Sequence, residues 1–199
     1  MKIGIFGGTF DPPHIGHLTM ADEAVKKFNL DRVYFVPANN PYMKGRVVTP
    51  ASERLILVSA ACGLDYYPSA CEIIRGGPSY TVDTLRYFQK QFSDAEFYLI
   101  LGADAFEQIG KWKEYEYILN NATLVVFGRP DHVSLDNITV YADGFEQTLP
   151  KAHIEIIPFT LDISSTKIRK RIANNQSVRY LVTASVYKYI KEMGLYGCV

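Results

Sequence analysis

Short apolar runs rich in β-branched and aromatic residues recur along the chain, and between them apolar positions repeat at helical spacing. KIGIF, from Lys2 to Phe6, stops against Gly7 and Gly8 and reads as a buried strand. From Ile15 onward Leu18, Ala21, Val25 and Phe28 lie on one helical face, and Asn29 marks the end of that helix. A second strand runs from Arg32 to Val36, followed by a Pro/Asn/Gly-rich stretch from Pro37 to Pro50 with the length of a functional loop. A helix is expected from Ala51 to about Cys62, a third strand in SACEII from Ser69 to Ile74, and a helix from Thr81 to Phe92.

The alternation continues with strands at Glu96 to Leu101, entering Gly102, and at Thr123 to Phe127. The stretch from Asp131 to Pro150 shows weak periodicity and reads as irregular, with one edge strand at most. His153 to Phe159 forms a last strand, Ser164, Ser165 and Thr166 open a basic helix, and a terminal helix ends at Gly194. Strands separated by helices predict an α/β fold with a mostly parallel sheet covered on both faces. In such sheets ligands bind beyond the carboxyl ends of the strands, where loops starting at Gly7, Pro37, Gly102 and Phe159 should converge.

Composition narrows this picture. With 199 residues and 48% hydrophobic positions the chain can build one substantial core. It is read as a single domain over 1–199, with a short helical part from about 164. Lys plus Arg number 21 and Asp plus Glu 21, so no long-range field draws the chain to nucleic acid or an anionic membrane, and any phosphate site must be focused. Cys62, Cys71 and Cys198 lack metal or redox spacing and indicate reduced thiols in a cytoplasmic compartment. The apolar run from Leu55 to Leu64 is too short to span a bilayer.

Candidate chemistry concentrates in three segments. In GGTFDPPHIGHL, Gly7 and Gly8 can bring backbone amides close to an anion, while His14 and His17 share a face where a helix begins. A plain βα turn with incidental histidines is the alternative. The segment matches neither the GxGxxG fingerprint nor the P-loop, since no Lys follows at the required spacing. In DISSTKIRKR, Ser164 or Ser165 can cap a helix whose free amides, with Lys167 and Arg169, suit an anion; an ordinary capped surface helix competes with that reading. In ILGADAFEQIGKW, Gly102 and Asp104 follow a strand, where a carboxylate could accept from ribose hydroxyls or cap the next helix. Trp112 could stack on a flat ring or simply pack. Lys44 and Arg46 lie in the long loop as mobile or merely solvated cations, and His132 and His153 show no metal spacing with the first pair.

Taken together, GGTFDPPHIGHL, GPSYTVDTL, LGADAFEQIGKW and ISSTKIR resemble bacterial nicotinate-nucleotide adenylyltransferase, of the nucleotidyltransferase superfamily with the (H/T)xGH signature. The resemblance implies a Rossmann-like nucleotidyltransferase fold and transfer of AMP from ATP to nicotinate mononucleotide, giving deamido-NAD and pyrophosphate. It implies ATP contacts from Gly7, Gly8, Thr9 and Phe10, from Gly102 and Asp104, and from Ile163, Ser164, Ser165 and Thr166. By the same likeness His14, His17 and Arg169 carry the catalytic roles, and Lys44, Thr84 and Trp112 meet the mononucleotide. Many relatives carry PPHK in the second loop where this chain has PYMK, from Pro41 to Lys44. Mg2+ is expected with ATP, held by polyphosphate and water rather than by a protein metal site. No nucleic acid or membrane partner is expected, and a homo-oligomer stays open.

Overall fold

The computed structural model describes residues 1–41, 49–128 and 135–197. The chain begins β1 (Lys2–Gly8), α1 (Ile15–Phe28), β2 (Arg32–Pro37), α2 (Ala51–Cys62), β3 (Tyr67–Pro68), α3 (Cys71–Arg75), α4 (Thr81–Gln91), β4 (Glu96–Gly102) and α5 (Ala103–Phe106). A 3-10 turn at Ile109–Lys111 leads to α6 (Tyr115–Asn121), β5 (Thr123–Gly128), α7 (Leu135–Thr148), β6 (His153–Pro158), α8 (Ser165–Ala173) and α9 (Ala184–Glu192). A second 3-10 turn covers Leu195–Gly197.

The strands form one sheet in the order β3-β2-β1-β4-β5-β6, and every neighbouring pair is parallel. Chain order reverses at the β1/β4 boundary, the place where such sheets open a crevice at their carboxyl ends. The two faces are built by the period-2 alternation of each strand. Leu99, Leu101, Leu124 and Val126 point into one core with Leu85 and Phe88 of α4, Ile118 of α6 and Ile138 of α7. Tyr98, Ile100, Val125 and Phe127 point into the other, against Met20, Ala21 and Ala24 of α1 and Val58 of α2. A third cluster joins Leu57 and Ala61 of α2 to Ile168 and Ile172 of α8 and to Val186 and Ile190 of α9. This last cluster fixes α8 against the body of the fold, and so sets where its first turn lies.

Helix boundaries follow local chemistry. Asn29 takes the left-handed conformation, φ 53°, that closes α1. Of the two candidate caps on α8, Ser164 is the one that acts, accepting from the Lys167 N–H at 3.2 Å. Among the described residues no helix is long and apolar enough to cross a membrane.

Two expected elements are corrected. SACEII is not a strand: Cys71–Arg75 is the short helix α3, and the third strand is the Tyr67–Pro68 pair before it. A six-residue apolar run is too short for period 2 and period 3.6 to be told apart, and a proline fits only because β3 lies at the sheet edge. The segment expected to be irregular after Asp131 contains α7, whose Ile138, Ala142 and Phe145 meet the first core at helical spacing, with Leu149 just beyond its end. The β-branched residues Thr139 and Val140 and the central Gly144 lower its intrinsic helix preference, and burial of the apolar face overrides them.

Burial pushes the Cys62 thiol up to about 12, which leaves almost no thiolate at ordinary pH. At pH 8 a thiol-alkylating reagent should modify Cys62 far more slowly in native protein than in denaturant, as read by peptide mass spectrometry. Equal rates would contradict the packing of α2.

Candidate active site

The carboxyl ends of the strands enclose a cavity of about 330 Å³ lined by Gly7 and Gly8 of β1, Ala38 after β2, Gly102 of β4, Phe127 of β5 and Phe159 after β6. The four loops expected to converge thus do so, and the cavity sits at the β1/β4 reversal.

On the β1 side, absence of side chains creates the space. A methyl group built on Gly7 would meet nothing within 4 Å, while one on Gly8 would strike the Phe10 ring at 2.9 Å. Phe10 adopts φ 48° and is buried, with its ring edge-on to Phe6 and to His17. His14 and His17 stack with ring centroids 3.6 Å apart. Gly16 permits this arrangement: a methyl group there would approach the His14 ring to 3.1 Å. The His14 backbone N–H donates to His17 Nδ1 at 3.2 Å, so Nδ1 is the acceptor nitrogen and Nε2 carries a proton. His17 lines the cavity beside Thr9, and its uncharged ring therefore already offers an N–H donor.

The start of α8 docks on this loop. Ser165 Oγ donates to the Pro12 carbonyl at 2.8 Å, and Arg169 Nη1 donates to the Asp11 carbonyl at 2.6 Å. Arg169 Nη2 donates to Thr166 Oγ1 at 3.1 Å, and Ile163 approaches Gly16, whose built methyl would lie 3.8 Å from Ile163 Cβ. The histidine pair and the ISSTKIR segment, more than a hundred residues apart, are thereby joined. The crowding of cations on α8 resolves in the same geometry. Lys167 pairs with Asp162, Arg169 turns back to Asp11, and Lys170 and Arg171 fall in the last turn, where the helix dipole favours positive charge.

The far side of the cavity begins at Gly102. A side chain there would collide with Asp104 Oδ1 at 2.7 Å, so the glycine lets the exposed Asp104 carboxylate fold back beside the strand end. Asp104 lines the cavity and does not cap α5. Trp112 and Lys113 line the same wall, with Lys113 Nζ 4.9 Å above the Tyr80 ring and 3.5 Å from Asp83. Thr84 also lines it, but its one hydroxyl proton goes to Glu72 at 2.6 Å, while Arg75 donates to Thr84 Oγ1 at 3.2 Å. Thr84 thus orients a buried carboxylate and has little left to donate to an anionic ligand. Lys44, Arg46, His132 and Cys198 lie outside the described residues.

Sequence reading missed Arg54, Glu72, Lys113 and Asp11 as site residues. Arg54 is the largest fully buried side chain in the described residues. Its guanidinium donates to the backbone oxygens of Thr49 (2.8 Å), Thr9 (2.8 Å), Ala38 (2.6 Å) and Asn39 (3.3 Å). One side chain therefore braces the loop after β1 and both ends of the loop after β2. Its signal was present as a lone cation at the head of the apolar run LILVSAAC.

Comparison with known proteins bears on this arrangement. The family described as cytidylyltransferase-like matches residues 5–171. A protein of Geobacillus thermodenitrificans named "probable nicotinate-nucleotide adenylyltransferase" is 39% identical over 98% of this chain and 86% of its own length. A protein of Desulfitobacterium hafniense bearing the same name is 40% identical over 98% of this chain and 95% of its own. Among solved structures, a Plasmodium falciparum nicotinic acid mononucleotide adenylyltransferase complexed with NaAD superimposes with a TM-score of 0.78 at 18% identity, covering 100% of this chain and 98% of that one. That likeness speaks for the fold.

Replacing Arg54 with Met would strand the carbonyls it serves. Chemical denaturation should show a loss of roughly 3 kcal/mol or more, the scale of several charge-assisted hydrogen bonds left unmade in a buried setting. A variant within 0.5 kcal/mol of the parent would show the bracing to be dispensable.

Proposed function

The chain belongs to the nicotinate-nucleotide adenylyltransferase family, and from that premise we propose that it transfers AMP from ATP to nicotinate mononucleotide, releasing pyrophosphate and forming deamido-NAD in NAD biosynthesis. The observation that carries this reading is the docking of the α8 start on the histidine loop, which joins Ser165 and Arg169 to the segment whose His14 and His17 stack and whose His17 lines the cavity.

The mononucleotide phosphate is already ionised and needs no general base to become a nucleophile. Attack of its oxygen on the ATP α-phosphorus forms the new P–O–P link and expels pyrophosphate. The chain's work is then alignment and stabilisation of spreading negative charge. In this reading ATP lies over Gly7, Gly8, Thr9 and Phe10, its phosphates meet His14 and His17 on one side, and on the other they meet Ser164, Ser165, Thr166 and Arg169. His17 acts as a neutral donor through Nε2. Ile163 closes the floor near Gly16, and Gly102 and Asp104 take the nucleotide sugar, where a carboxylate accepts from hydroxyls. The mononucleotide occupies the wall formed by Trp112, with Thr84 holding Glu72 in place behind it, and Lys44 approaching from the second loop.

Mg2+ enters as part of the ATP substrate and neutralises phosphate charge there. The donors suited to it would be polyphosphate oxygens and water, with Asp104 an exposed carboxylate in the cavity lining. The reduced, buried Cys62 and Cys71 are in keeping with a cytoplasmic setting. The third hydrophobic cluster, which ties α8 and α9 to α2, supports reading 1–199 as one functional unit.

The test offers ATP and Mg2+ with nicotinate mononucleotide, nicotinamide mononucleotide or phosphopantetheine and identifies each product. Deamido-NAD formed with stoichiometric pyrophosphate, at the highest kcat/KM of the three acceptors, is the expected result. Absence of nicotinate-dependent pyrophosphate release would overturn the reading. In the same assay His17→Ala should lower kcat by about 100-fold or more, the scale of one lost transition-state donor. Near-parental turnover of the folded variant would remove His17 from the reaction.

A further inference from the structure

Two bridges tie α4 to the chain that follows Trp112. In the first, Arg86 grips the Glu114 carboxylate with both terminal nitrogens, Nη1 at 3.1 Å and Nη2 at 2.6 Å, and its guanidinium lies 4.4 Å from the centre of the Tyr117 ring. Glu114 has φ 51°, a left-handed backbone that a glutamate rarely adopts. Residues in such conformations are kept there by their surroundings, and a forked ion pair is one such tie. Lys113, immediately before it, makes the second bridge: its Nζ lies 3.5 Å from an Asp83 carboxylate oxygen and 4.9 Å from the centre of the Tyr80 ring. Both bridges fasten the segment beside Trp112 to one helix, so Lys113 stands in a defined place on that wall.

The Lys113–Asp83 pair has a polarity with respect to the cavity. Lys113 and Tyr80 line the space beside Trp112, and Asp83 is not among the lining residues. The pair thus turns its positive end to the cavity and keeps its negative end behind. The ammonium need not leave Asp83 to meet a ligand, because it carries three N–H donors. Two carboxylates also line the cavity. Glu72 accepts from Thr84 at 2.6 Å and lies 4.0 Å from Arg75, so protein groups already answer its charge, and Asp104 folds back beside Gly102. We propose that Lys113, with its bridge to Asp83 intact, is a specificity-determining residue that favours a mononucleotide bearing a ring carboxylate over one bearing the neutral amide. A carboxylate that meets the ammonium gains attraction between full charges, whereas an amide oxygen in the same place offers only a dipole. The inference rests on the assignment of the mononucleotide to the Trp112 wall.

The experiment measures by calorimetry the binding of nicotinate and nicotinamide mononucleotides to the full chain, saturated with a non-hydrolysable ATP analogue and Mg2+, and repeats it for Lys113→Met, Lys113→Arg and Asp83→Asn. The parent should bind the acid more tightly than the amide. Lys113→Met keeps an apolar stem and should weaken the acid by about tenfold, the scale of one hydrogen bond to a charged group, with affinity for the amide little changed. Lys113→Arg should restore most of the loss. Asp83→Asn removes the partner charge but leaves the ammonium, so preference for the acid should be kept or increased. A merely structural bridge would give another pattern, with Lys113→Met and Asp83→Asn each weakening acid and amide alike. That pattern, or a parental preference for the acid in Lys113→Met, overturns the proposal while leaving the acceptor reading in place. A parent that binds neither mononucleotide removes the acceptor reading and this inference together.

Discussion

The arrangement turns on two hydrogen bonds from α8 to backbone oxygens of the loop after β1, Ser165 to Pro12 and Arg169 to Asp11. That loop holds consecutive prolines, which lack N–H groups, so its carbonyls must find partners elsewhere. Two α8 side chains, the Ser165 hydroxyl and the Arg169 guanidinium, supply those donors here. The contact is possible because α8 is already fixed by Ile168 and Ile172 in the third hydrophobic cluster. Packing remote from the cavity thus sets where Ser165 and Arg169 meet the histidine loop.

The two sides of the cavity are built on different physics. On the β1 side the missing side chain at Gly7 leaves open room, those at Gly8 and Gly16 admit the Phe10 and His14 rings, and stacked imidazoles fill the wall beneath. On the α4 side the buried Glu72 and Thr84 are hydrogen-bonded to each other, and the exposed Arg75 donates to Thr84 from outside. Such a set is rigid because each member lost leaves another unpaired in low dielectric.

Much of this was legible in the residues. Strand and helix alternation gave the parallel sheet, because buried strands with clean turn residues leave little ambiguity. The GGTFDPPHIGHL and ISSTKIR segments announced themselves by residue types with few structural uses in combination. What escaped reading was set by tertiary context. Cys71–Arg75 is helical although its run is too short to declare a period, and α7 is held by burial of Ile138 and Ala142 against its own β-branched content. Arg54 belongs to no motif, and its role lies in four carbonyl partners that the fold brings to it. Thr84 kept its place on the cavity wall, but its hydroxyl proved committed to Glu72, a partner twelve positions away that no spacing rule singles out.

The Arg54 brace carries a corollary. Because a single guanidinium ties Ala38 and Asn39 on one flank and Thr49 on the other, the stretch of chain strung between them is anchored like a bridge deck on fixed piers. Loop closure grows only slowly more demanding with added residues, so fixed flanks of this kind do not by themselves dictate the length between them. The replacement of PPHK by PYMK falls inside that span. What Arg54 holds in register is thus the flanks of this loop and the loop after β1, whatever sequence the span between those flanks carries.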